Sequence, residues 1–181
     1  MILTKGELER VLNHEFNMYI GSKKRLLKLM FTQDNDYIVW RYLVALRKNG
    51  YHKNNKHLFR RMIWERKKNK YGLKYGLYIG SADIGEGLRV WHVGDIVIHR
   101  NAVIGSNCQL HGMNCIGNKG VAGSGVPILG DNVNVGIGAV IIGDIYIADN
   151  VTIAANAVVN ESCFEKGVIL AGIPAKIIRK G

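Results

Sequence analysis

The C-terminal half of the chain repeats its aliphatic residues at intervals of six, and this period constrains the fold more than any other feature. The spacing shifts by two after Ile96 and is interrupted after Ile116. The aliphatic row consists of Ile84, Val90, Ile96, Ile98, Ile104, Leu110, Ile116, Leu129, Val135, Ile141, Ile147, Ile153 and Val159. Four residues after most of these positions the chain has a second small or aliphatic residue, and Asn114 breaks this rule. A sixfold period is typical of a solenoid of short strands, in which each coil buries its row against the next.

The N-terminal half has a different composition and a different period. Residues 1–77 contain 18 Lys and Arg against 6 Asp and Glu, whereas the remainder has 7 against 8. Thr4 and Glu7 have the spacing of a capping box, and capping-type residues open a second helical segment that we expect to end at Gly50. Apolar residues beside a basic face then predict a further helix within residues 57–72.

These periods divide the sequence into three parts. We expect a basic helical region at 1–77, a solenoid domain at 78–170 and a C-terminal tail at 171–181. A glycine-rich excursion at 118–127 interrupts the solenoid, and loops that leave a solenoid tend to line binding surfaces.

The positive charge of residues 1–77 bears on which binding partners we expect. No zinc-finger, helix-turn-helix or ribonucleoprotein signature accompanies it, so we expect no nucleic acid partner. Solvated helix faces, attraction to phosphate groups and peripheral contact with an anionic membrane remain open as explanations. No segment approaches the roughly 18 apolar residues of a membrane span, and the N-terminus lacks the order of a signal peptide, so we expect a cytoplasmic protein.

The cysteines favour neither disulfides nor a metal site. Cys108, Cys115 and Cys163 are an odd number without a secretory signal. Cys108 and Cys115 with His92 and His111 would offer zinc ligands, but their spacing matches no familiar zinc pattern. Cys108 also occupies the small, inward-facing position of its repeat. We therefore expect no metal.

Several segments occur together in one order: the repeats at 84–117 and 135–159, the excursion, and the closing AGIPAKII at 171–178. In this combination the chain resembles the serine acetyltransferase branch of the hexapeptide-repeat acyltransferases. The resemblance implies a mainly β fold, a left-handed parallel β-helix of hexapeptide repeats with an N-terminal α-helical region. It also implies a homotrimer with active sites between subunits, acetyl-CoA as the donor and a hydroxyl group as the acceptor.

His92 aligns with the catalytic histidine of that family. An alcohol is a poor nucleophile at neutral pH, and a neutral imidazole can remove its proton and then protonate the leaving thiolate. We therefore expect His92 to be a general base, with a structural histidine as the alternative.

Two departures from the family bear on the acceptor. Trp91 stands where serine acetyltransferases have an aspartate, and Gly125-Val126-Pro127-Ile128 replaces their Arg-His-Pro-Lys run. The chain in this respect resembles the members associated with surface-polysaccharide genes, which implies a sugar hydroxyl as acceptor and Trp91 as its stacking surface or as a packing residue between subunits. Serine O-acetylation and a non-catalytic trimeric scaffold are the alternatives.

Other candidate residues surround His92. We expect His111 to orient the substrate or to act as a second acid-base group, because coil stacking places residue 92 over residue 112. Asp95 and Asp83 are candidates for orienting His92, and Asp83 is also a candidate acceptor contact. His99 is expected to be a turn residue.

The resemblance also implies where acetyl-CoA binds and which complex is absent. The matching positions for the pantetheine arm are Gly117, Gly136, Ile137 and Ala155, and Lys176 would lie near the nucleotide phosphates. The chain stops shortly after Ile178. We therefore expect no complex with cysteine synthase.

Overall fold

The chain forms two compact units, Met1–Leu77 and Tyr78–Gly181, in a computed structural model that describes residues 2–80, 83–121 and 123–180. The boundary coincides with the change from helical to sixfold periodicity. Ala122 of the predicted excursion and Gly181 of the predicted tail lie outside the described residues.

The first unit is helical. Its helices are α1 (Lys5–Tyr19), α2 (Lys23–Thr32), α3 (Asn35–Asn54) and α4 (Leu58–Tyr75). The predicted capping box is confirmed: the Thr4 hydroxyl accepts a hydrogen bond from the Glu7 amide at 3.1 Å, and the Glu7 carboxylate accepts one from the Thr4 amide at 2.9 Å. Two of the orphan amides at the start of α1 are satisfied in this way.

The predicted end of α3 is wrong. The helix continues through Gly50 to Asn54 and ends where Lys56 adopts a positive φ of 56°. A glycine inside a helix costs only about 1 kcal/mol. The tertiary packing of α3 offsets that cost, since α3 carries nine of the buried residues of this unit.

The core of the helical unit lies between α1 and α3, whereas α4 is largely exposed. Glu15 and Arg47 form a buried ion pair at 2.6 Å, with side-chain exposures of 0% and 4%. On α4 only Gly72 is buried among the described residues, and the apolar side chains of Leu58, Phe59 and Met62 face solvent in this chain.

The second unit consists of short strands. They are β1 (Leu77–Ile79), β2 (Arg89–Val90), β3 (Ile96–Ile98), β4 (Val103–Ile104), β5 (Gln109–Leu110), β6 (Cys115–Gly117), β7 (Ile128–Leu129), β8 (Asn134–Val135), β9 (Val140–Ile142), β10 (Tyr146–Ile147), β11 (Thr152–Ile153), β12 (Val158–Val159), β13 (Val168–Gly172) and β14 (Ala175–Lys180). They build three sheets with the orders β1-β3-β6-β9-β12, β4-β7-β10 and β2-β5-β8-β11-β13-β14. Successive strands along the chain enter different sheets and the pairing is parallel apart from β13 with β14, as in the left-handed β-helix that was predicted.

The predicted aliphatic row is the core of this unit. Every member of the row is at most 5% exposed, from Ile84 to Val159. Asparagines occupy turns between the strands: Asn132 and Asn150 have φ values of 57° and 60°, a left-handed conformation that asparagine tolerates better than bulkier residues.

The spacing between paired strand residues reflects the shift and the interruption of the sixfold repeat. Val97 pairs with Cys115 and Tyr146 with Ile128, so a regular coil contains 18 residues. Arg89 pairs with Gln109, 20 residues on, because of the shift after Ile96. Across the excursion the partners are 25 residues apart, as in Gln109 with Asn134.

The segment predicted to be a tail folds back onto the solenoid. β14 pairs antiparallel with β13, so it covers the outer edge of the six-stranded sheet. An uncovered edge strand would offer unpaired backbone groups to other chains, and β14 satisfies those of β13. None of the described helices has the length and hydropathy to cross a membrane.

Candidate active site

His92 lies at the corner that follows β2, with its side chain exposed. The three sheets are the sides of the solenoid, and we call the body that they enclose the prism. The register pairs Val90 with Leu110, Leu110 with Val135, and Val135 with Ile153. The residues two positions further on therefore form one column along this edge of the prism: His92, Gly112, Ile137 and Ala155. The predicted stacking of residue 92 over residue 112 is confirmed, since a Cβ added to Gly112 would lie 3.5 Å from His92 Cβ.

Gly112 is held in place by a residue that the sequence pattern did not assign to the site. Asn114 is fully buried inside the prism. Its Oδ1 accepts a hydrogen bond from the Gly112 amide at 3.0 Å, and its Nδ2 donates one to the Gly136 carbonyl at 2.7 Å. Asn114 thus fixes two adjacent rungs of the corner that carries His92. The only sequence signal was its exception to the aliphatic rule.

Trp91 forms a wall beside His92 on the outer face of the six-stranded sheet. Its ring stacks on that of His111, with the centroids 5.9 Å apart and the planes at 28°. Its Nε1 donates a hydrogen bond to Gln109 Oε1 at 3.0 Å, and the Arg89 guanidinium lies 4.6 Å from its ring centroid. Trp91 remains 40% exposed, so part of the ring is accessible in this chain.

His111 lies on the rung next to Trp91 and is oriented from two sides. Besides the stacking, its Nε2 is 2.9 Å from Asn134 Oδ1. An amide oxygen is an acceptor, so Nε2 carries the hydrogen and, in the neutral ring, Nδ1 has the free lone pair. This geometry suits a residue that presents Nδ1 to a bound molecule.

The two aspartates that were predicted to orient His92 occupy different places in the fold. Among the described residues, no hydrogen bond or ion pair joins Asp95 to His92, and Asp95 is exposed with a φ of 44°. Asp83 precedes Ile84, which bridges to Ile104 of the three-stranded sheet, so it belongs to a different face of the prism. That either residue orients His92 stays a prediction, because sequence proximity alone does not decide which side chains meet where the coil turns its corners.

His99 is the turn residue that was predicted. Its Nδ1 accepts a hydrogen bond from the Asn101 amide at 3.2 Å. It lies at the corner after the five-stranded sheet, where a Cβ on Gly117 would be 3.8 Å from His99 Cβ.

The positions predicted to hold acetyl-CoA divide into three groups. Ile137 and Ala155 share the column of His92, and Gly136 adjoins it; Ile137 exposes 44% of its surface. Gly117 lies at the next corner, beside His99. Lys176 lies on β14, where its Nζ pairs with Glu161 Oε2 at 2.8 Å.

The packing of the coils explains why residue 136 is glycine, independently of any ligand. A Cβ there would lie 2.6 Å from the Ala155 amide nitrogen, which is backbone and cannot move aside. The close stacking of coils thus requires glycine at this position.

The residues considered as zinc ligands are not brought together. Cys108 is inside the prism, where burial raises the pKa of its thiol to about 11, and its Sγ donates to the Gly130 carbonyl. His111 lies on the outer face. No group of three or more His, Cys, Asp or Glu residues suitable for a metal occurs in the described part of the chain.

Comparison with known proteins shows which family the chain belongs to. Residues 127–161 match the family described as bacterial transferase hexapeptide (six repeats). The serine acetyltransferase of Staphylococcus epidermidis is 31% identical over 155 residues, which are 85% of this chain and 70% of that protein. The chain belongs to the serine acetyltransferase family. The enzyme of the same name from Synechococcus elongatus is 34% identical over 54% of this chain and 40% of its own.

Solved structures of serine acetyltransferases have the same fold. A complex of the soybean enzyme with serine has a TM-score of 0.66 at 25% identity, covering 78% of this chain and 58% of the soybean chain. A serine acetyltransferase in complex with cysteine gives 0.73 at 20% identity, covering 97% and 71%. This member of the serine acetyltransferase family is therefore an acyltransferase, with acetyl-CoA as its co-substrate. The relatives carry the name of serine and not of a sugar, which favours the alternative acceptor over the expected saccharide.

Proposed function

We propose that this protein transfers the acetyl group of acetyl-CoA to the hydroxyl of serine, with His92 as the general base. The observation that carries the proposal is the 31% identity to a serine acetyltransferase over 85% of this chain. The exposed His92 ring lies in one column with Ile137 and Ala155, which supports the assignment because the family resemblance implies these positions for the catalytic histidine and the pantetheine arm.

The chemistry follows from the imidazole. His92 takes the proton of the serine hydroxyl as the oxygen attacks the thioester carbon. The tetrahedral intermediate collapses with cleavage of the carbon–sulfur bond, and the imidazolium returns its proton to the departing thiolate. The products are O-acetylserine and coenzyme A, and the histidine is neutral again.

The active enzyme is a homotrimer in this proposal. The solenoid of one chain leaves His92, Trp91 and Ile137 exposed along one edge, and a groove between neighbouring solenoids would cover them. Excluding water there would strengthen the polar contacts that hold the acyl donor. Gly117 and Lys176 would contact other parts of the same ligand.

His111 and Arg89 are the groups that we assign to gripping the amino acid. In this proposal the Arg89 guanidinium, held over Trp91, binds the serine carboxylate, and Nδ1 of His111 accepts from the ammonium. These side chains would supply the contacts that the missing Arg-His run cannot.

A sugar hydroxyl is the second candidate acceptor, and the observation that favours it is Trp91. An accessible indole face suits the apolar face of a saccharide ring. In that case Trp91→Ala should raise KM for the sugar about tenfold while kcat changes little, because stacking contributes to binding in both ground and transition states.

The proposal is tested by release of free thiol from acetyl-CoA, with serine and a panel of saccharides as acceptors. His92→Ala should lower kcat/KM for the true acceptor at least about 100-fold. His14→Ala, at an exposed position of α1, is the matched control and should retain full activity. Turnover with saccharides only would refute the choice of serine. Undiminished turnover in His92→Ala would refute the general base, and absence of turnover with any acceptor would favour the scaffold alternative.

A further inference from the structure

One cavity in the described part of the chain is not used by the proposed acetyl transfer. It lies within the helical unit and has a volume of about 360 Å³, which falls in the range of small-molecule sites. Four cations and two tyrosines form most of its wall: Arg41, Lys67, Lys70, Lys74, Tyr71 and Tyr75.

The charge of this wall is not neutralised by the protein. None of the described residues that line the cavity has a carboxylate. Within the described residues none of the four cations takes part in an ion pair, although Arg25, Arg47 and Arg61 of the same unit each pair with an acid. Four positive charges around one cavity repel each other, and an anion that enters would relieve this repulsion.

Aromatic rings hold two of the four cations, Arg41 and Lys74, in place. The Arg41 guanidinium lies 5.7 Å from the ring centroids of both Tyr37 and Tyr71, and its Nη1 donates a hydrogen bond to the Tyr37 hydroxyl at 3.0 Å. Lys74 Nζ lies 5.0 Å from the Tyr75 centroid, and the rings of Tyr71 and Tyr75 stack at 6.1 Å. Binding an anion therefore costs less side-chain entropy than at freely moving surface lysines.

We infer that this cavity binds a small anion that carries two or more phosphate groups. A planar guanidinium matches two oxygens of one phosphate, and ammonium groups act as point charges for the others. The end of α4 contributes a partial negative charge of about one half, which four full positive charges outweigh. The absence of a carboxylate argues against cationic or zwitterionic ligands.

The test is isothermal titration calorimetry of the full chain with sodium pyrophosphate in 150 mM salt, a concentration that screens unspecific attraction beyond about 8 Å. The protein carries His92→Ala, so the result does not depend on the acetyltransferase proposal. The double variant Lys70→Gln/Lys74→Gln should weaken binding at least about tenfold. The matched control Lys24→Gln/Lys53→Gln removes the same charge at exposed positions of α2 and α3 outside the cavity and should leave the affinity unchanged.

A lipid headgroup is the other source of such phosphates. Sedimentation with vesicles of phosphatidylcholine containing cardiolipin, whose headgroup carries two phosphates, is measured for the same variants. Binding of pyrophosphate lost only in the cavity variant assigns a soluble ligand. Vesicle binding lost only in that variant, with pyrophosphate competing, assigns a headgroup. Equal losses in both double variants, or binding to neither probe, would overturn the inference.

Discussion

Asn114 provides the sharpest test of how the solenoid supports its active site. The aliphatic rule would have a small apolar residue here, as Ala139 is at the equivalent position of the next coil, so the rule alone predicts that Asn114→Ala is neutral or stabilising. The contacts predict the opposite. The substitution removes the hydrogen bonds of Asn114 to the Gly112 amide, the Gly136 carbonyl and, at 3.5 Å, the Ala139 carbonyl. In the described structure the Gly112 amide has no other hydrogen-bond partner.

The magnitude follows from those contacts. Each lost hydrogen bond contributes about 0.5–1.5 kcal/mol, and the buried amide left unsatisfied costs about 1–3 kcal/mol, so we expect the free energy of unfolding to fall by about 2–4 kcal/mol. Gly112 is the neighbour of His92 in the adjacent coil, since a Cβ added to it would lie 3.5 Å from His92 Cβ. A loosened corner should therefore also lower kcat about tenfold with little change in KM, because misplaced catalytic groups act on the transition state.

Urea denaturation and the thiol-release assay measure the two effects. Val151→Ala removes buried volume at the same hexapeptide position of a different corner of the solenoid and should cost stability while kcat is retained. An unchanged or increased stability of Asn114→Ala would refute the hydrogen-bond reasoning. A loss of stability with unchanged kcat would refute the coupling to His92.

Three further predictions concern the helical unit, each measured as the free energy of unfolding. Glu15→Ala should cost about 3–5 kcal/mol because it removes a buried partner of Arg47, whereas Glu9→Ala, in an exposed pair with Lys5, should cost less than about 1 kcal/mol; similar losses would contradict the role of burial. Gly50→Ala should stabilise by up to about 1 kcal/mol, since its Cβ would meet no atom within 4 Å. Gly72→Ala should instead destabilise by about 1–3 kcal/mol, since its Cβ would lie 2.5 Å from the Leu77 carbonyl oxygen, and the same sign for both would contradict this geometry. Burial lowers the pKa of His52, and the positive charges of His57, Arg60 and Lys48 lower it further, so the unfolded chain binds more protons than the folded one once the pH falls below the ordinary value of 6.5. Stability should then decrease from pH 6.5 down to the folded pKa, His52→Gln should flatten that decrease, and an exposed control, His14→Gln, should not.

Local patterns predicted much of the fold. The capping box required only Thr4 and Glu7, three residues apart, and it is present in the structure. The end of α3 was mispredicted because a local stop signal at Gly50 competes with packing along the whole helix. The C-terminal segment was taken as a tail because its pairing partner, β13, is revealed only when the last coil is complete.

The site was only partly predictable. His92 and the stacking of residue 92 over residue 112 followed from the family resemblance and the coil length. The wall of Trp91 on His111, and the hydrogen bond from His111 to Asn134, did not. The roles of Asp95 and Asp83 stay predictions: Asp95 has a φ of 44° and Asp83 precedes the bridge of Ile84 to Ile104, and nearness to His92 in sequence does not place either carboxylate at its ring.

The sequence by itself determined that aliphatic side chains at sixfold spacing form a buried row, because a repeating period specifies which side of each strand avoids water. Only the tertiary structure decided which outward residues meet. Each contact between rungs depends on the number of residues in the intervening coil, 20 from Arg89 to Gln109 and 25 from Gln109 to Asn134. A change of one residue in either count would place different side chains beside His92, since neighbours on the outer face are set by the register of backbone hydrogen bonds and not by their own chemistry.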